Sequence, residues 1–99
     1  MKKELLRKIS GLCYFALNDK ECIKLQTYLI IEDYTSARLY LDKIIEDIEW
    51  KLSFDEDDEV VKKQLIDSNS LMDLVIELTI VNERDKERIM IKYLIKIQF

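Results

Sequence analysis

This 99-residue chain has no proline and a single glycine, Gly11. Average usage would supply about seven glycines and about five prolines at this length. Sandwiches and barrels need many tight turns, and those turns draw on residues that tolerate positive φ or pre-set it. A chain this poor in both is confined to a few long elements with few connections. The expected fold is all-α, a single bundle of four to five helices over residues 1–99, ending in a long apolar helical segment. Apolar residues at 48% and charged residues at 36% support a packed core under a solvated surface and exclude a disordered chain.

Apolar spacing carries the helices. Residues 3–17 place Leu5, Ile9, Leu12 and Ala16 on one face, with Leu6 and Cys13 beside them. Asn18-Asp19 ends this helix and caps a second over about 20–32, striped by Cys22, Leu25 and Leu29 with Ile23 and Ile30 alongside. Thr35 or Ser36 is the expected cap of a third helix, 36–53, whose inward face is Ala37, Leu41, Ile44, Ile45, Ile48 and Leu52. Asp55 is the expected cap of a fourth over 56–67, and Asp67-Ser68-Asn69-Ser70 reads as a break.

Two structures compete for residues 71–99. A polar stripe of Asp73, Glu77, Arg84, Arg88, Lys92 and Lys96 fits one long helix, or two joined near Asn82. The alternation of Ile76, Leu78 and Ile80, and again of Ile91, Tyr93, Ile95, Ile97 and Phe99, fits an α+β alternative with a hairpin over about 74–98. Residues 82–88 have no glycine for a tight turn and begin like a helix, so the helical reading is preferred.

The net charge of −4 is unevenly spread: +3 over residues 1–31, −8 over 32–59 and +1 over 60–99. The acidic middle either neutralises itself on folding or faces a partner. No uncharged apolar run approaches the length of a membrane span, and the start of the chain carries no secretory or lipoprotein signal. Cys13 and Cys22 match no redox or zinc spacing and read as reduced, buried thiols. A cytoplasmic location follows. Fourteen isoleucines and twelve lysines against two alanines suggest AT-rich coding, as in many bacteria and their phages.

The absence of histidine removes the commonest general acid/base and the activator of a nucleophilic cysteine. Counted from Asp55, an EF-hand loop would need glycine where Val60 stands and an acid where Ile66 stands. Asp42, Glu46 and Glu49 cluster on one helix, but Asp73 and Glu77 make a poor second pair for magnesium, and a di-iron site needs histidine. No glycine-rich loop cradles a phosphate. The expectation is a protein that is not an enzyme, with no cofactor and no bound metal.

Binding is what remains. Trp50 lies about 200° around the third helix from Ile48, in line with Leu39 and beside Lys43 and Glu46. A large aromatic in a charged rim is the form of an interface anchor, the alternative being that a later helix covers it. With Asp55, Asp57, Asp58 and Glu59 these residues form the expected surface for a protein partner with a basic face. The function expected is that of an adaptor, regulator or stoichiometric inhibitor encoded by a phage or another mobile element. Homodimerisation through the C-terminal segment is a second expectation. The alternative is a nucleic-acid-associated protein using Arg84, Arg88, Lys92 and Lys96, helped by Lys2, Lys3, Arg7 and Lys8. The plainer reading of that row is a solvated edge paired with the acidic middle helix.

Overall fold

The computed structural model describes residues 2–98, and among them it contains four α-helices and no strand: α1 Lys2–Ala16, α2 Asp19–Ile30, α3 Tyr34–Phe54 and α4 Glu59–Gln98. Each helix packs on its two neighbours in a ring, α1 on α2, α2 on α3, α3 on α4 and α4 on α1. The polarity of α1 against α4 is pinned at both ends. The Lys2 Nζ donates to Asn82 Oδ1 at 3.0 Å, and Gln64 Nε2 donates to the Ala16 carbonyl at 3.3 Å. The result is an antiparallel four-helix bundle. Its core joins Leu5, Ile9 and Cys13 of α1, Cys22, Leu25 and Leu29 of α2, Ala37, Leu41 and Ile45 of α3, and Leu71, Val75 and Leu78 of α4.

The inward faces read from spacing are the buried ones, with Leu12 and Leu52 only half-buried and Leu6 on the surface. Ile23 and Ile30 are fully outside, because α2 is covered on one narrow side only. The caps differ in two places. Asn18 caps α2 in a reciprocal capping box with Glu21, as its sequence suggests. The cap of α3 is Asp33, not Thr35 or Ser36: its carboxylate accepts from the Ser36 N–H at 3.1 Å and the Ser36 hydroxyl at 2.7 Å. Two charge-assisted bonds hold its carboxyl below the usual carboxylate range. Likewise Asp58, not Asp55, caps α4, accepting from Val60 and Val61 N–H at 3.1 and 3.2 Å. Asp55 instead closes α3 through its N–H to the Leu52 carbonyl.

The turn between α2 and α3 shows how the chain dispenses with glycine. The Asp33 N–H reaches the Tyr28 carbonyl and the Glu32 N–H the Leu29 carbonyl, the paired bonds of a Schellman ending. The left-handed position this motif needs is filled by Glu32, at φ 59°. A side chain there costs about 1–2 kcal/mol relative to glycine. An ion pair at 3.3 Å with Lys2 anchors Glu32 in place.

The largest correction concerns the last forty residues. Residues 67–70 do not break the chain, Asn82 does not cap a new helix, and the hairpin alternative is not supported: 59–98 is one helix. Ser68 points into the core and stacks with Leu71, Val75 and Leu78, so packing on α1 and α3 overrides the weak helix preference of Asp, Ser and Asn. Ile76, Leu78, Ile80 and Ile91 sit around a helix, Leu78 buried and the others exposed, and the side chains of Tyr93, Ile95, Ile97 and Phe99 lie outside the described residues. The Ser68 hydroxyl is buried without a hydrogen-bond partner. Gly11 sits exposed in mid-helix with nothing near its missing Cβ.

In urea melts, Gly11→Ala is expected to add about 0.8–1 kcal/mol from helix propensity. Ser68→Ala is expected to be stabilising by about 1 kcal/mol, because it removes an unsatisfied buried hydroxyl. A loss on Ser68→Ala would show that the hydroxyl has a partner.

Candidate functional site

Solvent-facing positions of α3 recur at 39, 43, 46 and 50, three and four residues apart, so Leu39, Lys43, Glu46 and Trp50 form one exposed row about 16 Å long. Trp50 is 67% exposed. The reading in which a later helix covers it is thus overturned; α4 flanks the row only at Leu39, which lines a shallow cleft with Met72 and Ile76. One turn on, Phe54 is 72% exposed and meets the indole edge-to-face, ring centroids 4.6 Å apart at 81°. Sequence reasoning passed over Phe54, although its spacing of four from Trp50 was the available signal. The two rings brace each other and form an exposed aromatic ridge.

The acids flank that ridge. Asp55, Asp57 and Glu59 are exposed and Asp58 is half-buried, in the turn that leads from Phe54 into α4. Asp55 and Asp58 use carboxylate oxygens to accept backbone N–H groups of the turn, which holds the loop in shape. Among the described residues the ion pairs are Lys2–Glu32 and Lys62–Glu59. Folding thus pairs Glu32 and Glu59 of the acidic middle with lysines outside it, and among the described residues its other acids form no ion pair. No group of three or more metal-ligating side chains is arranged to hold an ion among the described residues.

Arg84, Arg88 and Lys92 are exposed on α4, and the side chain of Lys96 lies outside the described residues. The expected pairing of this row with the acidic helix is not found among the described residues. Instead, Arg84 and Arg88 meet Lys2 and Lys3 of α1 around a cleft of about 430 Å³, with Asp85 and Val81 completing its wall. This junction forms at the opposite end of the bundle from the Trp50 ridge.

Cys13 and Cys22 are buried and unbridged. Burial, reinforced by the neighbouring Cys22, pushes the Cys13 thiol up to about 12, and burial raises Cys22 as well. Neither is a ready nucleophile, since the thiolate is the reactive form. Burial also raises the hydroxyls of Tyr34 and Tyr40.

Fold and surface together define a small four-helix bundle with a braced aromatic ridge beside an acidic turn. No protein family, no curated protein and no solved structure matches the chain.

The raised thiols set a pH dependence. The unfolded chain releases these protons near 9 and the folded chain holds them further up, so stability is full below pH 9 and falls as pH rises toward 12. Cys13→Ala is expected to flatten that fall in melting temperature between pH 9 and 11. An unchanged slope would place the effect on Cys22 and the tyrosines.

Proposed function

We propose that this chain is a non-enzymatic helical interaction module of the cytoplasm, an adaptor, regulator or stoichiometric inhibitor that binds a protein partner with a basic surface. The observation that carries this reading is the solvent-exposed Trp50–Phe54 pair set beside five consecutive acidic residues. Water gains nothing from a braced aromatic pair, whereas a partner pocket that closes over it gains a hot spot of the kind Trp most often supplies. The carboxylates from Asp55 to Glu59 steer a basic face toward the ridge and speed encounter, and Leu39, Lys43 and Glu46 extend the footprint along α3. The absence, among the described residues, of any helix long and apolar enough to cross a membrane suits this role. The free length of α4 serves self-association in the same reading.

The test uses the full chain as bait in the native host. Trp50→Ala is expected to leave helicity and melting temperature unchanged and to weaken capture of the principal partner roughly 30-fold, the effect of about 2 kcal/mol at a hot spot. Full capture by a folded Trp50→Ala variant would sink the ridge as the binding site.

A second reading is favoured by the meeting of Lys2, Lys3, Arg84 and Arg88 in one cleft. In it the bundle associates with nucleic acid through that junction and Lys92. Binding to mixed-sequence DNA or RNA would then weaken steeply with salt, log affinity against log salt having a slope of about −3 for single strands and about −4 for duplex at roughly four phosphate contacts. Binding with no salt slope, or none at all, removes this reading.

A further inference from the structure

We infer that the Trp50–Phe54 ridge receives an arginine side chain of the protein partner, its guanidinium laid on the indole and its N–H groups directed to Glu46 and Asp47. This rests on the ridge reading proposed above and names the chemistry that the ridge selects. The Lys2–Asn82 bond marks the upper end of the bundle, and the ridge lies at the lower end, where α3 finishes.

The rings come first. They stand at 81° to one another with centroids 4.6 Å apart, so they form two nearly perpendicular walls rather than one flat surface. Both residues are mostly exposed, and an aromatic face presents the negative side of its quadrupole to whatever approaches. Such a face attracts a cation. Elsewhere the chain supplies one itself: Lys24 Nζ lies 4.9 Å from the ring centroid of Tyr40. Among the described residues no lysine or arginine is seated over Trp50 or Phe54. Long side chains of a helix lean toward its N-terminus, so the indole lies over the turn that carries Glu46 and Asp47. Residues three and four apart have Cβ atoms about 5–6 Å from each other, which puts both carboxylates beside the indole. Lys43, one turn earlier, forms no ion pair with either acid among the described residues.

The field around the ridge selects the occupant. Residues 46–58 hold seven carboxylates and one lysine, and none of them takes part in an ion pair among the described residues. A purely apolar partner would cover the rings and strip water from these acids, which is costly unless a cation arrives with it. Lysine brings the charge as a compact and strongly hydrated ammonium, which gives up its water reluctantly. A guanidinium is planar and weakly hydrated. It lies flat on an aromatic face while the N–H groups along its edge fork to a carboxylate. Rings and acids on successive turns of α3 meet both of those demands at once, and arginine is the side chain that carries both.

The test uses the full chain and short unstructured peptides that differ only in carrying arginine, lysine or neutral citrulline. Trp50 is the sole tryptophan, so its emission reports on this site alone, and anisotropy of labelled peptides gives affinity for the variants. At physiological salt, which screens the long-range pull of the acids, the arginine peptide is expected to shift Trp50 emission saturably. It is expected to bind about 5- to 10-fold more tightly than the lysine peptide, with citrulline weaker than both. Trp50→Leu, which keeps an apolar side chain and touches no core position, should remove the preference for arginine over lysine, and Trp50→Phe should keep part of it. Glu46→Gln should weaken the arginine peptide more than the lysine peptide. Equal affinity for arginine and lysine, no binding of either, or a preference that survives Trp50→Leu overturns the arginine assignment. The ridge reading would then still stand on partner capture by Trp50→Ala. Citrulline binding as tightly as arginine would make the occupant apolar. An emission shift with chain concentration alone would make it a second copy, and either result overturns the proposal.

Discussion

Burial of one face of α4 between α1 and α3 is the interaction on which the other features depend. Leu71, Val75 and Leu78 are wholly removed from water there, each contributing about 1.5–3 kcal/mol relative to exposure. Without α4, α1 and α3 would present Leu5, Ile9, Leu41 and Ile45 to solvent, and α2, narrow and covered on one side, would have little to hold it. The same burial carries the helix straight through the Asp-Ser-Asn-Ser segment. It even tolerates a buried Ser68 hydroxyl, because breaking the helix at that point would forfeit the two turns of apolar packing that follow.

Polar chemistry is confined to the ends of this packed column, and there it does the work that glycine and proline do elsewhere. Asn18, Asp33 and Asp58 cap three of the helices with their own carboxylate or amide oxygens. Glu32 takes the left-handed turn position, and Lys2 ties it to Asn82 across the upper end. Acidic caps and an acidic turn therefore serve two purposes. They close helices without flexible residues, and they leave the lower end of α3 strongly negative around its two exposed aromatic rings. The basic junction forms at the other end, so the charge of the molecule is polarised along its long axis. A bundle polarised this way orients an approaching charged partner before any contact forms.

Much of this was legible in the residues alone. The scarcity of turn formers, the stripes of α1, α2 and α3, and the Asn18 capping box all follow from local rules, since a helix face is set by spacing and a cap by the residues within one turn of it. The candidate surface was partly legible: Trp50 stands off the apolar stripe by simple rotation around the helix, which is geometry the sequence contains. Phe54 was missed because the third helix was expected to end at 53, one residue short of it, although its spacing from Trp50 was in the sequence.

Tertiary structure alone decided the rest, for a physical reason. Whether Asp67-Ser68-Asn69-Ser70 ends a helix depends on how much apolar area lies beyond it and what receives that area, and both α1 and α3 are far away in sequence. Whether Trp50 is covered depends on which side of α3 its neighbours occupy, a choice made by α4. The hairpin-like alternation of residues 76–80 was ambiguous for the same reason, because β-branched residues suit either a strand or a helix until a packing partner, here α1 and α3, selects one. By itself the sequence determined that the chain would be helical, short of turns and poor in catalytic groups. The packing of α4 decided where the helices end, which aromatic residues meet solvent, and which length of helix is left without a neighbour.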